Sequence, residues 1–283
     1  RNQLSYESGR LGRDIMHIYI SLSLAFFALF FLSSGCGQNH PPSEFKVTNG
    51  SETADQDPAV VLLRFGQGNI CTGTYISDHI ILTAAHCTQS PTIEVVNPHR
   101  NGGSLELQVV RRSEAVRSNP GYRRPEDIRH DLGLVKMPRG SSSHWLPISA
   151  RGGRVGDQVR MVGFGHNYIN QDTDGYVMTE KGAGNKRSGT NQIAIASDGA
   201  LRFNGFISPR QAADNGQPVG VSVGIGGGDS GGPLVNRSGE LVGIASAQNP
   251  TWGEWESIRA MESVFVDLST ADAQAFLRQA DRI

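Results

Sequence analysis

Aromatic residues are scarce, at 7% of the 283 residues, and there are only three cysteines, whereas glycine is abundant at 35. Few aromatics with much glycine favour many short strands joined by tight turns over long helices, so the expected class is all-β. Neither sign of charge dominates, since 26 Lys and Arg face 27 Asp and Glu for a formal charge of −1. That balance argues against a polybasic nucleic-acid binder and against a disordered acidic tail. His-Glu-x-x-His is absent, the cysteines lack zinc-ligand spacing, and the glycine-rich run at 224–232 lacks the Gly-Lys-Ser/Thr of a phosphate-cradling loop. No metal, redox or other cofactor is therefore implied. There is no internal repeat.

One long apolar run exists, Ile15 to Leu32, interrupted only by His17, Ser21 and Ser23 and followed by Ser33-Ser34-Gly35-Cys36. It reads as the apolar core of an export signal. A retained signal anchor is the alternative, because the run sits at the short end for a spanning helix. The residues before Cys36 resemble the lipobox of a bacterial lipoprotein, with Ser33 where that pattern favours Leu. This resemblance implies that Cys36 is lipidated and becomes the mature N-terminus. Residues 37–46, GQNHPPSEFK, are polar and proline-containing and read as a tether. About 240 residues remain, enough for one large core or two smaller ones.

Beyond the tether, strand-like runs recur at short intervals: Val60–Phe65, Tyr75–Leu82, Thr92–Val96, Leu105–Arg111, Leu132–Met137, Gln158–Phe164, Gln192–Ala196, Val219–Val223, Pro233–Val235 and Leu241–Ala245. Gly, Pro, Asn and Ser between them indicate a sandwich or barrel. Arg139–Ser143 is the candidate junction between two halves. The tail differs: Ala273, Phe276, Leu277 and Ala280 recur at helical spacing behind a Ser269-Thr270 cap, which predicts one amphipathic helix. Cys71 and Cys87 lie in one segment, and an exported chain can oxidise them to a disulfide; two reduced, buried thiols are the alternative.

Gly228-Asp229-Ser230-Gly231-Gly232 satisfies Gly-x-Ser-x-Gly. An α/β-hydrolase places its acid and histidine after such a serine, yet all eight histidines precede Ser230, which excludes that fold. Two further segments stand upstream, Leu82-Thr83-Ala84-Ala85-His86-Cys87 and His130-Asp131-Leu132-Gly133-Leu134-Val135-Lys136. A serine hydroxyl is a poor nucleophile at neutral pH and needs a neighbouring base, which a histidine oriented by a carboxylate supplies. In order and spacing, His86, Asp131 and Ser230, separated by 45 and 99 residues, resemble the trypsin/chymotrypsin family of serine peptidases.

The resemblance covers about residues 47–283 and implies two six-stranded antiparallel Greek-key β-barrels with a C-terminal α-helix. The implied division is a leader at 1–36, a tether and propeptide at 37–46, barrels at about 47–150 and 151–268, and a helix at about 270–281. It implies a serine endopeptidase acting on polypeptides, with His86 as base, Asp131 orienting it, Ser230 as nucleophile, and the N–H groups of Gly228 and Ser230 as oxyanion hole. Lys46-Val47-Thr48-Asn49-Gly50 aligns with the family's activation site, so cleavage after Lys46 by an activating protease would free Val47 to pair with Asp229. Such cleavage would also detach the catalytic unit from the membrane-bound lipid on Cys36, which gives a periplasmic or outer-membrane form and a released form. In the implied specificity pocket, Gly224 stands where trypsin-like members carry the pocket aspartate, Ser246 matches the family's serine beside the triad Asp, and Gln248 stands where many members have a wall glycine and would narrow or cap the pocket. Without that carboxylate a buried guanidinium lacks a partner, so a small or medium uncharged side chain is expected. Trp252 and Trp255 are candidates for a subsite. The alternative is a catalytically silent binding protein on the same fold.

Overall fold

A computed structural model of the chain describes residues 47–283 apart from 54–55, 102–103, 167, 172–177 and 253–257. The readings placed on the leader, the tether, Cys36, Lys46 and Trp255, and on the side chain of Trp252, lie outside the described residues. No helix among the described residues is long and apolar enough to cross a membrane.

The strands are β1 (Ser51–Glu52), β2 (Val60–Phe65), β3 (Asn69–Tyr75), β4 (Ile80–Thr83), β5 (Ile93–Asn101), β6 (Ser104–Arg112), β7 (Ala115–Ser118) and β8 (Gly133–Lys136). They continue with β9 (Gln158–Gly163), β10 (Tyr168–Gln171), β11 (Met178–Lys181), β12 (Arg187–Gln192), β13 (Ile195–Ser197), β14 (Ala200–Gly205), β15 (Pro233–Asn236), β16 (Leu241–Trp252) and β17 (Ile258–Asp267). Among the described residues two α-helices join them, α1 (Pro209–Asp214) and α2 (Ala271–Leu277).

The first sheet runs β6-β5-β2-β3-β4-β8-β7, all antiparallel. Only Ser113 and Glu114 separate β6 from β7, so residues 104–118 act as one bent strand that pairs with β5 at one end and β8 at the other. That bend closes the sheet on itself. The second sheet runs β1-β12-β9-β15-β16-β17-β14-β13, and residues 187–197 close it by the same device, pairing with β9 through β12 and with β14 through β13. With each bent run taken once and β1 as an added edge, both rings hold six strands in the same Greek-key order. Closure removes the exposed edges that would otherwise invite pairing with other chains.

β4 and β8 carry the packing between the rings. Ile80 and Leu82 face one apolar cluster with Leu134, Ile244, Val266 and Phe276, whereas Ile81 and Val135 face another with Leu63, Tyr75 and Ile93. Alternation along a strand sends successive side chains to opposite faces, and here both faces are buried, hence the unbroken run Ile80-Ile81-Leu82. The C-terminal helix lays Ala273, Phe276 and Leu277 on the first of these clusters and is capped by Thr270, whose Oγ1 accepts the Ala273 N–H at 3.2 Å. It ends at Leu277, and a short 3-10 turn, Ala280–Arg282, follows.

Several elements depart from the sequence pattern. Tyr75–Leu82 is not one strand but a hairpin, because Ser77 Oγ accepts the N–H groups of His79 and Ile80 and turns the chain. β16 continues past Ala245 to Trp252, and Val219–Val223 forms bridges at Val221 and Val223 rather than a strand. β3, β14 and β17 escaped the sequence reading because polar residues and glycine interrupt their apolar alternation, as at Asn69, Thr72, Gly73 and Thr74.

Cys71 on β3 and Cys87 in the turn after β4 form a disulfide across 16 residues of chain. A loop of that size is worth roughly 3 kcal/mol in the chain-entropy treatment. Cys71→Ser/Cys87→Ser should lower unfolding free energy by about that amount, read as a lower urea midpoint with an unchanged secondary-structure spectrum.

Candidate active site

β4 and β8 pair with Thr83 opposite Gly133. His86 follows Thr83 in the 3-10 turn Ala85–Thr88, and Asp131 precedes Gly133 after the turn Ile128–His130. The antiparallel register therefore delivers both side chains at the same end of the ladder. His86 Nδ1 lies 2.8 Å from Asp131 Oδ2, and the His86 backbone N–H donates to Asp131 Oδ1 at 2.9 Å. Ser246 Oγ, on β16, donates to Asp131 Oδ2 at 2.6 Å. Asp131 is 2% exposed, and these three bonds compensate for the water it has lost. An acceptor carboxylate on Nδ1 places the imidazole hydrogen there, leaving the Nε2 lone pair free to take a proton.

Ser230 sits in a loop held by both barrels. Its carbonyl accepts the Thr72 N–H from β3 at 2.8 Å, and the Cys87 sulfur lies 3.7 Å from the same oxygen, so Ser230 is packed against the residue that follows His86. Gly231 N–H donates to Ala245 on β16 at 2.7 Å, and Gly232 N–H to Asp229 at 2.8 Å. Gly231 has φ +80°, and a Cβ there would come within 2.3 Å of the Thr72 carbonyl and 2.9 Å of the Ala84 nitrogen, so only glycine lets the two barrels approach this closely.

The preceding peptides have a defined orientation. The Gly227 carbonyl accepts the His166 N–H at 2.8 Å, and a trans, planar peptide points the Gly228 N–H the opposite way. Among the described hydrogen bonds, neither the Gly228 nor the Ser230 N–H has a protein acceptor. Gly228 has φ +95°, a conformation that favours glycine. Two unengaged donors beside a serine are suited to an oxygen that gains negative charge.

Asp229 is fully buried. Its carboxylate accepts the Gly165 N–H at 2.7 Å and the Gly226 N–H at 2.8 Å. Burial pushes its pKa up to about 7, against the opposing pull of those two N–H groups and of the His166 and Arg187 charges. In the intact chain the Val47 nitrogen is a peptide nitrogen and brings no charge to this carboxylate. Val47 itself is fully buried among Val223, Ile225 and Phe265, and Thr48 pairs with Gly224 through N–H to carbonyl at 3.0 Å. Val47 holds φ +50°, a costly conformation for a β-branched residue.

Gly224 also donates its N–H to Thr48 Oγ1 at 3.0 Å. A Cβ on Gly224 would meet Thr48 Oγ1 at 2.8 Å and Ser263 Oγ at 3.3 Å, and Ser263 pairs with Gln248 across β16 and β17. Gly224 and Gln248 are thus brought around the buried hydroxyl of Ser263, which the sequence reading did not single out. No motif marks Ser263; the pairing of β17 with β16 and β14 places it there, and its Oγ accepts the Ile225 N–H at 3.0 Å. The group of Cys71, His86 and Cys87 is close enough to suit a metal, but the two sulfurs are joined to each other and have no thiolate to offer.

The sequence model of the Trypsin family matches residues 47–266. Trypsin, alkaline C, from Manduca sexta is 27% identical over 252 residues, which cover 81% of this chain and 89% of that protein. Trypsin, alkaline B, from the same species is 29% identical with the same coverage. Kallikrein-8 from Rattus norvegicus is 26% identical over 219 residues, 74% of this chain and 76% of its own.

The raised pKa of Asp229 fixes a pH dependence for the intact chain. Between the unfolded value, near 3.8, and about 7 the folded state holds a proton that the unfolded state has released. This contribution to stability is complete below the unfolded pKa and is lost as pH rises through the folded one, at up to about 1.4 kcal/mol per pH unit. Urea midpoints measured from pH 4 to pH 8 should therefore fall more steeply for the intact chain than for Asp229→Asn, and the two curves should run parallel above the window.

Proposed function

The chain belongs to the trypsin family and is a serine endopeptidase, and from that premise we propose that His86, Asp131 and Ser230 are its catalytic triad. The observation that carries the assignment is the buried Asp131 carboxylate, bonded at once to the His86 ring, the His86 backbone and Ser246. In the proposed reaction, Ser230 Oγ attacks the scissile carbonyl carbon while its proton passes to His86 Nε2. The electron pair of the carbonyl moves onto oxygen, where the N–H groups of Gly228 and Ser230 meet it. Collapse of this intermediate breaks the C–N bond, His86 returns the proton to the leaving amine, and an acyl-enzyme remains. Water then repeats the sequence in reverse, releasing the acid and restoring Ser230. Asp131 stays ionised throughout and stabilises the imidazolium.

Activation is by cleavage after Lys46. The new Val47 ammonium then adds a positive charge beside buried Asp229, to the pull that two backbone N–H groups and the His166 and Arg187 charges already exert, and a directly paired buried carboxylate is far less costly than an unpaired one. Cleavage also releases Val47 from its φ of +50°, because an N-terminal residue has no preceding carbonyl to clash with. In the full account the precursor is exported and lipidated at Cys36, and cutting after Lys46 frees residues 47–283 from the membrane. At the pocket, Gly224 offers no carboxylate, and Gln248, next but one to the Ser246 that binds Asp131, narrows the wall and favours a small or medium uncharged side chain over Arg or Lys.

Two measurements test this reading. Residues 37–283, produced by an oxidising route and sequenced at the N-terminus, should be labelled by an active-serine phosphonate once Val47 is the terminal residue. Ser230→Ala should remain unlabelled, with peptide hydrolysis down by roughly 10⁴-fold or more, and Val47→Gly should label poorly. A folded, correctly cleaved wild type that stays unlabelled contradicts the proposal. For the pocket, kcat/KM for a peptide with Ala or Val before the cleaved bond should exceed that for Arg by at least roughly tenfold. A preference for Arg would contradict the pocket assignment.

A further inference from the structure

We infer that Thr72 is the positioning residue for the oxyanion donors, a role that rests on the triad and oxyanion reading above. Thr72 lies on β3 of the first barrel and is fully buried. Its backbone N–H donates to the Ser230 carbonyl at 2.8 Å, and its Oγ1 donates to the Gly228 carbonyl at 3.0 Å. One residue therefore grips the carbonyls of the two residues whose N–H groups line the proposed hole. The same Oγ1 accepts the Phe164 N–H at 3.1 Å, and the Thr72 carbonyl accepts Thr83 Oγ1 at 2.8 Å.

The partner chemistry leaves the hydroxyl one arrangement. Gly228 offers a carbonyl, which only accepts, and Phe164 an N–H, which only donates, so the hydroxyl hydrogen must point to Gly228. Threonine is β-branched and stiff about χ1, so the hydroxyl is fixed before substrate arrives. Gly228 needs such a restraint. At φ +95° and without a side chain its backbone is little restrained by its own sterics, and the direction of its carbonyl is set by ψ, the torsion that the Thr72 bond holds. Phe164 is followed by Gly165, whose N–H binds Asp229 Oδ1 at 2.7 Å, so the hydroxyl also ties the loop to the segment that supports Asp229. Valine has the same shape but would leave a buried carbonyl and a buried N–H without partners, whereas serine keeps both bonds.

The test uses the protein cleaved after Lys46 and compares wild type with Thr72→Val, Thr72→Ser and Thr72→Ala. Serine and alanine differ by the hydroxyl oxygen alone, so that pair decides the matter even where valine does not fold. Hydrolysis of a peptide ester should show kcat lower by roughly 10- to 100-fold in Thr72→Val and Thr72→Ala, short of the loss of a whole oxyanion donor, with KM within about threefold of wild type. Affinity for a peptidyl boronate, whose tetrahedral adduct places an oxygen in the hole, should fall in parallel with kcat. Binding of a peptide without a reactive carbonyl should not change, and Thr72→Ser should recover kcat to within about threefold of wild type. An unaltered kcat in Thr72→Val or Thr72→Ala overturns the inference, as does serine being as impaired as alanine, or losses of kcat and peptide binding that merely follow unfolding. A wild type that hydrolyses nothing overturns the peptidase-site reading and this inference with it; a hydrolysing wild type with unimpaired variants overturns this inference alone.

Discussion

The β4–β8 ladder is the constraint from which the site follows. Its register sets Thr83 against Gly133, and the chain leaves the two strands at the same end toward His86 and Asp131. Both strands are buried on both faces, so the ladder cannot slip by one residue without driving Ile81 and Val135 out of one core and Ile80, Leu82 and Leu134 out of the other. The hydrogen bonds between His86 and Asp131 are thus held by two hydrophobic cores rather than by local loop preference. Ser246 enters the same carboxylate from β16, in the second barrel, so the acid is shared by both halves of the molecule.

The loop that carries Ser230 depends on a different balance. It is irregular backbone brought under two barrels, and its stability comes from distributed hydrogen bonds: Thr72 to Ser230, Gly231 to Ala245, Gly232 to Asp229, and His166 to Gly227. Glycine makes the close approach feasible and also makes the loop loose. Against that looseness stand the Thr72 hydroxyl and the buried Asp229 carboxylate, the latter held by the Gly226 N–H within the loop and the Gly165 N–H from the segment after β9. Burial of Asp229 raises its pKa in spite of those two N–H groups and of the His166 and Arg187 charges, so an added positive charge beside it would stabilise the ionised form.

Much of this is legible in the amino-acid sequence itself. The order His86, Asp131, Ser230 and the glycines around the serine point to the trypsin family, and the strand-like runs Val60–Phe65 and Gln158–Phe164 mark strands. What stayed hidden are features whose cause is tertiary. Asn69–Tyr75 reads as polar, yet β3 pairs with β2 and β4 and carries both Cys71 and Thr72. The hairpin turn at Ser77 depends on one side-chain oxygen catching two N–H groups, which apolar alternation does not register. Ser263 lies beside Gly224 through the pairing of β17 with β14 and with the part of β16 beyond Ala245, and that extension is fixed by strand pairing rather than by an apolar run.

The central claim is that the geometry around Asp131 and His86 serves a covalent step at one particular oxygen, Ser230 Oγ. Acid quenching during turnover of a slowly deacylating peptide ester, followed by mass-spectrometric peptide mapping, reads that step directly. The account predicts the acyl group on Ser230 and on no other residue, and its disappearance in His86→Ala. An acyl group on a different side chain, or steady hydrolysis with no acyl-enzyme at Ser230, would contradict it.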